Sequence, residues 1–233
     1  PRQIGAKYRY LMENAFELPP SPHVDSTGTL EKGEITETIL FSGHGVTALV
    51  VFKDGMRALF SPFSNSLELA AFWIDDLLGF GLVPPVAERS INDQPGLLEQ
   101  FVAGAKPALY YKTWEEAVQP KEILKAAVLD YILDSRDRRK ENFLIDESAH
   151  KLWLINNDYH MLLTAFNSRD IFNTAVKRGL TDLPEDILAA IDKFYSGSPS
   201  LLERAKEKEV LDVLNRARER ARIILDKKSI ANI

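Results

Sequence analysis

The sequence predicts an α+β fold in two lobes, an antiparallel sheet first and a mainly helical region after it. Three observations carry this expectation. Short β-branched and aromatic runs crowd residues 34–103, "GAKPA" at 104–108 interrupts them, and helical periodicity dominates the remainder of the chain. The expected division is 1–103 for a sheet lobe carrying one helix and 104–233 for a helical lobe. With 45% hydrophobic and 27% charged residues over 233 positions, the chain can bury a sizeable core and does not have a disordered composition.

Each element has its own local signal. "ELPPSPHVDSTGT" at 17–29 is rich in Pro, Ser and Thr and reads as an irregular approach segment. "ITETILF", "TALVVF" and "RALFSPF" are strands, and Asp54-Gly55 between the last two signals a two-residue hairpin turn, because Gly tolerates positive φ. In "NSLELAAFWIDDLLGFGLVPP", Leu67, Ala70, Ala71, Ile74, Leu77 and Leu78 share one helical face, and Gly79 is placed to stop the helix. "VAERSI" and "LLEQFVA" are two more strands around the turn "NDQPG". Beyond "GAKPA", Leu124, Ala127, Val128, Tyr131 and Ile132 mark a helix, and "FLIDESAHKLWLI" marks a short hairpin. The tail "SLLERAKEKEVLDVLNRARERARIIL" is one charged amphipathic helix or a pair of them, its alternating charges forming a solvated face.

Composition excludes several function classes. The net charge of −5 provides no basic field to collect nucleic acid, and "RDRRK" at 136–140 is diluted by Asp134, Asp137, Glu141 and Asp146, so no nucleic-acid partner is expected. No apolar run approaches the ~20 residues of a transmembrane segment. The absence of cysteine removes disulfides, thiolate catalysis and Cys-zinc sites, and favours a cytoplasmic location. His23, His44, His150 and His160 lack zinc spacing, and no G-x-S-x-G elbow occurs.

Three stretches carry candidate chemistry. "SGHGVTALVVF" approximates the glycine loop G-x-G-x-x-G-x-V through Gly43, Gly45 and Val50, with Ala48 at the third glycine. Glycines there let backbone N–H groups approach phosphate oxygens, although a Gly-rich hairpin turn accounts for the same letters. Glu68 stands near the start of the first long helix, where a carboxylate can pair with a strand Lys that holds phosphates; a capping box with Asn65 would use the same residue without any such role. Asp137 and Asn142 are five apart, the spacing of a proton-accepting Asp and a metal-binding Asn in a kinase catalytic loop. The hairpin after them delivers the chain to Asn156, Asn157 and Asp158, where a further metal ligand is expected. A solvated loop after a helix is the competing explanation of these polar letters.

"LDYILDSRDRRKENFLID" with "LWLINND" after it resembles the catalytic core of the phosphatidylinositol 3-/4-kinase-like superfamily, closest to type II phosphatidylinositol 4-kinases and their bacterial stand-alone relatives. "ELAAFWIDDLLGFGLVPP" is similar to that family's first-lobe helix and the V-P-P after it. The resemblance covers residues 40–160 in patches and implies a two-lobed protein-kinase-like fold that uses ATP and Mg²⁺. It implies phosphoryl transfer from the nucleotide, and because no membrane-anchoring segment or basic face is visible the expected substrate is a protein or small hydroxyl compound rather than a lipid. By the same resemblance Asp137 is the catalytic Asp and Glu68 the helix Glu, Gly43 and Gly45 form the phosphate loop, and Asn142 is a metal ligand. Adenine is expected against the connector "EQFV", at Gln100 and Val102.

Two positions depart from the family pattern. Its strand Lys is expected where "LFSPF" has Ser61, and its metal-binding Asp where the chain has Asn156. Both changes remove charge from the phosphate and metal subsites. Arg57, on the same strand face as Ser61, and Asp158, two residues past Asn156, could restore it. An alternative expectation is therefore a pseudokinase that serves as a regulatory or partner-binding module.

Overall fold

The first element of the computed structural model, which describes residues 26–41, 47–62, 67–157, 168–205 and 207–231, is a short helix. This helix, α1 (Ser26–Lys32), includes the end of the segment expected to be irregular. Its first four letters, Ser-Thr-Gly-Thr, are weak helix formers, and seven residues are too few to hold a helix alone. Tertiary burial overrides that weakness, since Leu30 is fully buried in an apolar cluster with Val50, Phe52 and Leu98 of the sheet.

That sheet has five antiparallel strands in the order β1-β2-β3-β5-β4. They are β1 (Ile35–Phe41), β2 (Thr47–Phe52), β3 (Arg57–Pro62), β4 (Val86–Ile91) and β5 (Gln94–Gln100). Side chains alternate between two faces, as the pleat requires. Ala48, Val50, Phe52, Ala58 and Phe60 point to the α1 side, whereas Leu49 and Leu59 point to the other. The turn after β2 is longer than the expected two residues: Gly55 takes a φ of +85°, and Asp54 Oδ1 accepts a hydrogen bond from Met56 N at 2.9 Å. An Asx turn therefore replaces the type I′ hairpin. Between β4 and β5 the tight turn is Asn92–Asp93, both at positive φ, so β5 starts three residues earlier than its apolar letters suggest.

Helix α2 (Leu67–Leu78) stops at Gly79, which has a φ of +68°. Expected as the helix of the sheet lobe, α2 also belongs to the helical core. Its Leu67, Ala70, Ala71, Ile74 and Leu78 join the cluster that contains Ile123, Ala127, Phe194 and Leu214, while Leu69 packs with Val86 and Leu97 of the sheet. A helix apolar on both sides is held between two lobes, and this fixes where Glu68 stands.

The rest is mainly helical. A small antiparallel sheet joins β6 (Lys106–Pro107), β8 (Phe143–Asp146) and β9 (Lys151–Leu154), and β7 (Asp137–Arg138) pairs in parallel with β10 (Ser168–Arg169). Helix α3 (Pro120–Leu133) begins with Pro, which tolerates a first turn, and ends at Asp134 with a left-handed φ of 55°. It is succeeded by α4 (Asp170–Lys177), α5 (Glu185–Arg204) and α6 (Lys208–Lys227), so the charged tail is a pair of helices. On α6, Val210, Val213, Leu214, Ala217, Ala221 and Ile224 form one buried stripe. Among the described residues no helix is long and apolar enough to cross a membrane.

Candidate functional site

The site is organised around Arg138, whose side chain is fully buried. Its Nε donates to both carboxylate oxygens of Asp130 at 2.9 and 3.2 Å, and its Nη1 to the carbonyls of Asn142 at 2.7 Å and Ile155 at 3.0 Å. Its Nη2 donates to Asn157 Oδ1 at 2.6 Å. One guanidinium thus ties the end of α3, the loop after β7 and the turn after β9.

On that frame the loop closes on itself. Asn142 Nδ2 donates to the Asp137 carbonyl at 2.8 Å, and Asn156 Nδ2 donates to Asn142 Oδ1 at 3.2 Å. The five-residue spacing therefore places Asp137 and Asn142 in one turn, and the β8–β9 hairpin returns Asn156 to them. Asn156 has a φ of +60°, tolerable for Asn, and its side-chain oxygen is buried without a hydrogen-bond partner. The Asp137 carboxylate is 1% exposed and faces Arg139, whose Nη2 donates to Oδ2 at 2.9 Å. This hydrogen bond to Asp137 holds the Arg139 guanidinium above its ordinary pKa.

Glu68 reaches this turn from α2. Its Oε2 accepts from the Asn157 backbone N at 2.6 Å and its Oε1 from Asn157 Nδ2 at 2.7 Å. Both oxygens of the helix carboxylate are engaged by Asn157, in a position where the family resemblance expects a strand cation. Ser61 is half-buried on β3 and shares a strand face with Arg57 and Leu59 by alternation. Arg57 is itself buried, and desolvation lowers its pKa.

Between the lobes lies a second apolar cluster: Leu49 and Leu59 from the sheet, Phe101, Val102 and Ala105 from the connector, and Leu144, Trp153 and Ile155 from below. Val102, expected at the adenine, is in this cluster. Val50, expected at the cofactor, points to the opposite face of the sheet, and Leu49 takes the interlobe position. Gln100 is not in this cluster, and its side chain lines a groove beside the connector. Gly43, Gly45, Asn65 and Asp158 lie outside the described residues. Sequence reasoning overlooked Arg138 as an organiser, because "RDRRK" was weighed only as a basic patch, and burial of one of its arginines is not visible in the letters.

For a hard cation the described residues provide amide oxygens on Asn142 and Asn156, and the orphaned Asn156 Oδ1 fits such a ligand. Among the described residues no group of three His, Cys, Asp or Glu is placed to hold a metal.

No protein-family model matches the sequence, and no curated protein matches it either. Solved structures do. A crystal structure of the Golgi casein kinase superposes with a TM-score of 0.52 at 14% identity, covering 86% of this chain and 74% of that one. The fold is kinase-like. The proinflammatory kinase CtkA of Helicobacter pylori superposes with the same TM-score and identity, covering 84% of this chain and 95% of its own. In this chain the β1–β5 sheet precedes the helical region, Phe101 and Val102 follow β5 between them, and Asp137 and Asn142 come after α3.

Proposed function

We propose that this chain binds ATP between its lobes, divided near residues 103 and 104, and belongs to an ATP-dependent phosphotransferase lineage acting on a protein or small hydroxyl substrate. The observation that carries this reading is the closed turn in which Asn142 joins Asp137 to Asn156. A bound Mg²⁺–ATP would supply the transferable phosphoryl group and the cation that neutralises charge on it. Asp137 would accept the proton of the incoming hydroxyl, and Asn142 and Asn156 would hold the metal through neutral oxygens. Val102, with Leu49 and Leu59, would take the adenine in the dry interlobe cluster. Ser61 supplies no cation for the phosphates, and neutral Asn156 binds Mg²⁺ less strongly than a carboxylate, so turnover should be weak.

A second reading, a pseudokinase that uses the cleft for regulation or partner binding, is favoured by one observation: both carboxylate oxygens of Glu68 accept hydrogen bonds from Asn157, which ties α2 to the turn after β9. Thermal unfolding with ATP or ADP, with and without Mg²⁺, tests nucleotide binding directly. At about 100-fold over Kd a ligand adds about 2.7 kcal/mol to native stability. For a domain of this size each kcal/mol raises Tm by about 2–4 °C, which is easily read. No shift at millimolar nucleotide would remove the ATP site and leave the partner-binding module.

A further inference from the structure

Glu68 is presented by α2, and the C-terminal helices pack against α2 from behind. Ile74 and Leu78 share one apolar cluster with Phe194 of α5 and Leu214 of α6. Where α2 crosses α5 the fit is close. A Cβ at Gly197 of α5 would lie 3.2 Å from Leu77 Cδ2 and 3.3 Å from Leu77 Cδ1, so any larger residue there presses on α2. At the end of α5 the Arg204 guanidinium lies over the Trp73 ring of α2, 4.6 Å from its centroid.

On its other side α2 ends in short, directional bonds. Glu68 accepts from the Asn157 backbone N at 2.6 Å and from Asn157 Nδ2 at 2.7 Å. Such bonds weaken steeply once their geometry is lost, whereas a close-packed helix contact passes displacement on rather than absorbing it. We infer that α5 is a brace that sets α2 from behind, with Gly197 and Arg204 as its positioning residues. The brace holds the Glu68–Asn157 junction closed without help from a ligand, and a movement of α5 opens it. This makes α5 the lever through which the site can be disabled from outside the cleft. The consequence for phosphoryl transfer rests on the proposed role of Glu68, whereas the junction itself can be followed without nucleotide.

The test is ¹⁵N NMR of the ligand-free full chain, following the Asn157 backbone amide and its Nδ2 group, both donors to Glu68. Gly197→Val adds side-chain carbons at the crossing. It should move both resonances and speed hydrogen exchange of the Asn157 amide roughly tenfold or more, by local opening rather than global unfolding. Combining Gly197→Val with Leu77→Ala transfers the added volume from α2 to α5, and it should bring resonances and exchange back towards the parent. Arg204→Ala, at an exposed position, should also quicken exchange of that amide, by less. If Gly197→Val alone does not fold, the paired variant and Arg204→Ala decide. Asn157 signals and exchange that match the parent in Gly197→Val and Arg204→Ala, or in Arg204→Ala alone where the other is unfolded, overturn the brace. So does a Gly197→Val effect that Leu77→Ala fails to reverse, since that marks general damage to the core. A chain that passes this test yet shows no thermal shift with Mg²⁺–ATP keeps the brace and loses the nucleotide reading.

Discussion

Asn157 is the residue on which both lobes meet. Its backbone and amide satisfy Glu68, and its side-chain carbonyl accepts a hydrogen bond from Arg138 Nη2. Asn157→Ala removes side-chain hydrogen bonds to two charged partners in the interior, each worth about 1.5–3 kcal/mol. Urea unfolding should show a loss of about 3 kcal/mol or more, whereas a loss below about 0.5 kcal/mol, the size of a neutral surface change, would show that the junction bears little energy. Asp75 makes a pH-dependent prediction. Burial is the largest cause that pushes its carboxyl up to about 7, with the Leu82 and Val83 N–H groups and Lys151 pulling down and Asp76 pushing up. The folded state keeps a proton that the unfolded chain releases near its ordinary value of 3.8. The stability from this proton is thus present below that value and lost as pH rises to about 7. Asp75→Asn keeps an acceptor for the two N–H groups and should flatten that decline, by on the order of 4 kcal/mol at mildly alkaline pH. Identical pH profiles of denaturation midpoint for the two proteins would sink the assignment. At this scale the sequence was only partly legible. Asp137, Asn142 and Glu68 stand out by spacing, but Arg138 and Asn157 acquire their roles only through burial, which single letters do not report.

Elements were more legible where one local signal decides them. The hairpin of β8 and β9, helix α3 and the stop at Gly79 arise from periodicity and turn chemistry, and the structure has them. Elements decided by tertiary packing were not legible: α1 is a helix because Leu30 is buried under the sheet, and α2 faces both lobes. Strand β5 shows the same division. "NDQPG" reads as a turn, yet Pro95 and Gly96 lie inside the strand, with Gly96 paired to Pro62 and Arg89. The glycine is required there by close approach. A Cβ at Gly96 would lie 2.6 Å from the Phe60 ring and 2.6 Å from the Ser61 backbone oxygen. The backbone oxygen cannot move without shifting β3, so Gly96→Ala should cost about 1–3 kcal/mol, as overpacking does. Because Ser61 is the contact, the same variant should also weaken nucleotide binding if β3 lines the phosphate subsite. Unchanged stability in chemical denaturation would mean that the two strands have more room than their pairing indicates.

At the scale of the whole molecule, the question is whether this kinase-like frame lacks only charge or lacks a productive arrangement. Asp137, Asn142 and Asn156 are already joined, and α2 already presents Glu68 between the lobes. By the proposed alignment, Ser61 stands where a Lys is expected and Asn156 where an Asp is expected. Ser61→Lys together with Asn156→Asp should therefore produce Mg²⁺-dependent ATP turnover. Either change alone should recover less, because phosphate positioning needs the Lys–Glu pair and the metal carboxylate together. The structure adds a condition. Asn157 already occupies both oxygens of Glu68, so the introduced ammonium must share that carboxylate rather than find it waiting. Carboxylate oxygens accept more than one hydrogen bond, and sharing costs no buried partner. In the double variant, Asp137→Asn should then lower turnover by about 10²–10⁴, the usual contribution of a positioned general base. A double variant that binds ATP by thermal shift yet shows neither turnover nor autophosphorylation would refute the disabled-kinase lineage and favour the partner-binding module. If the unaltered chain turns ATP over well and Asp158→Ala stops it, the metal carboxylate stands two residues beyond Asn156, and the frame was never short of charge.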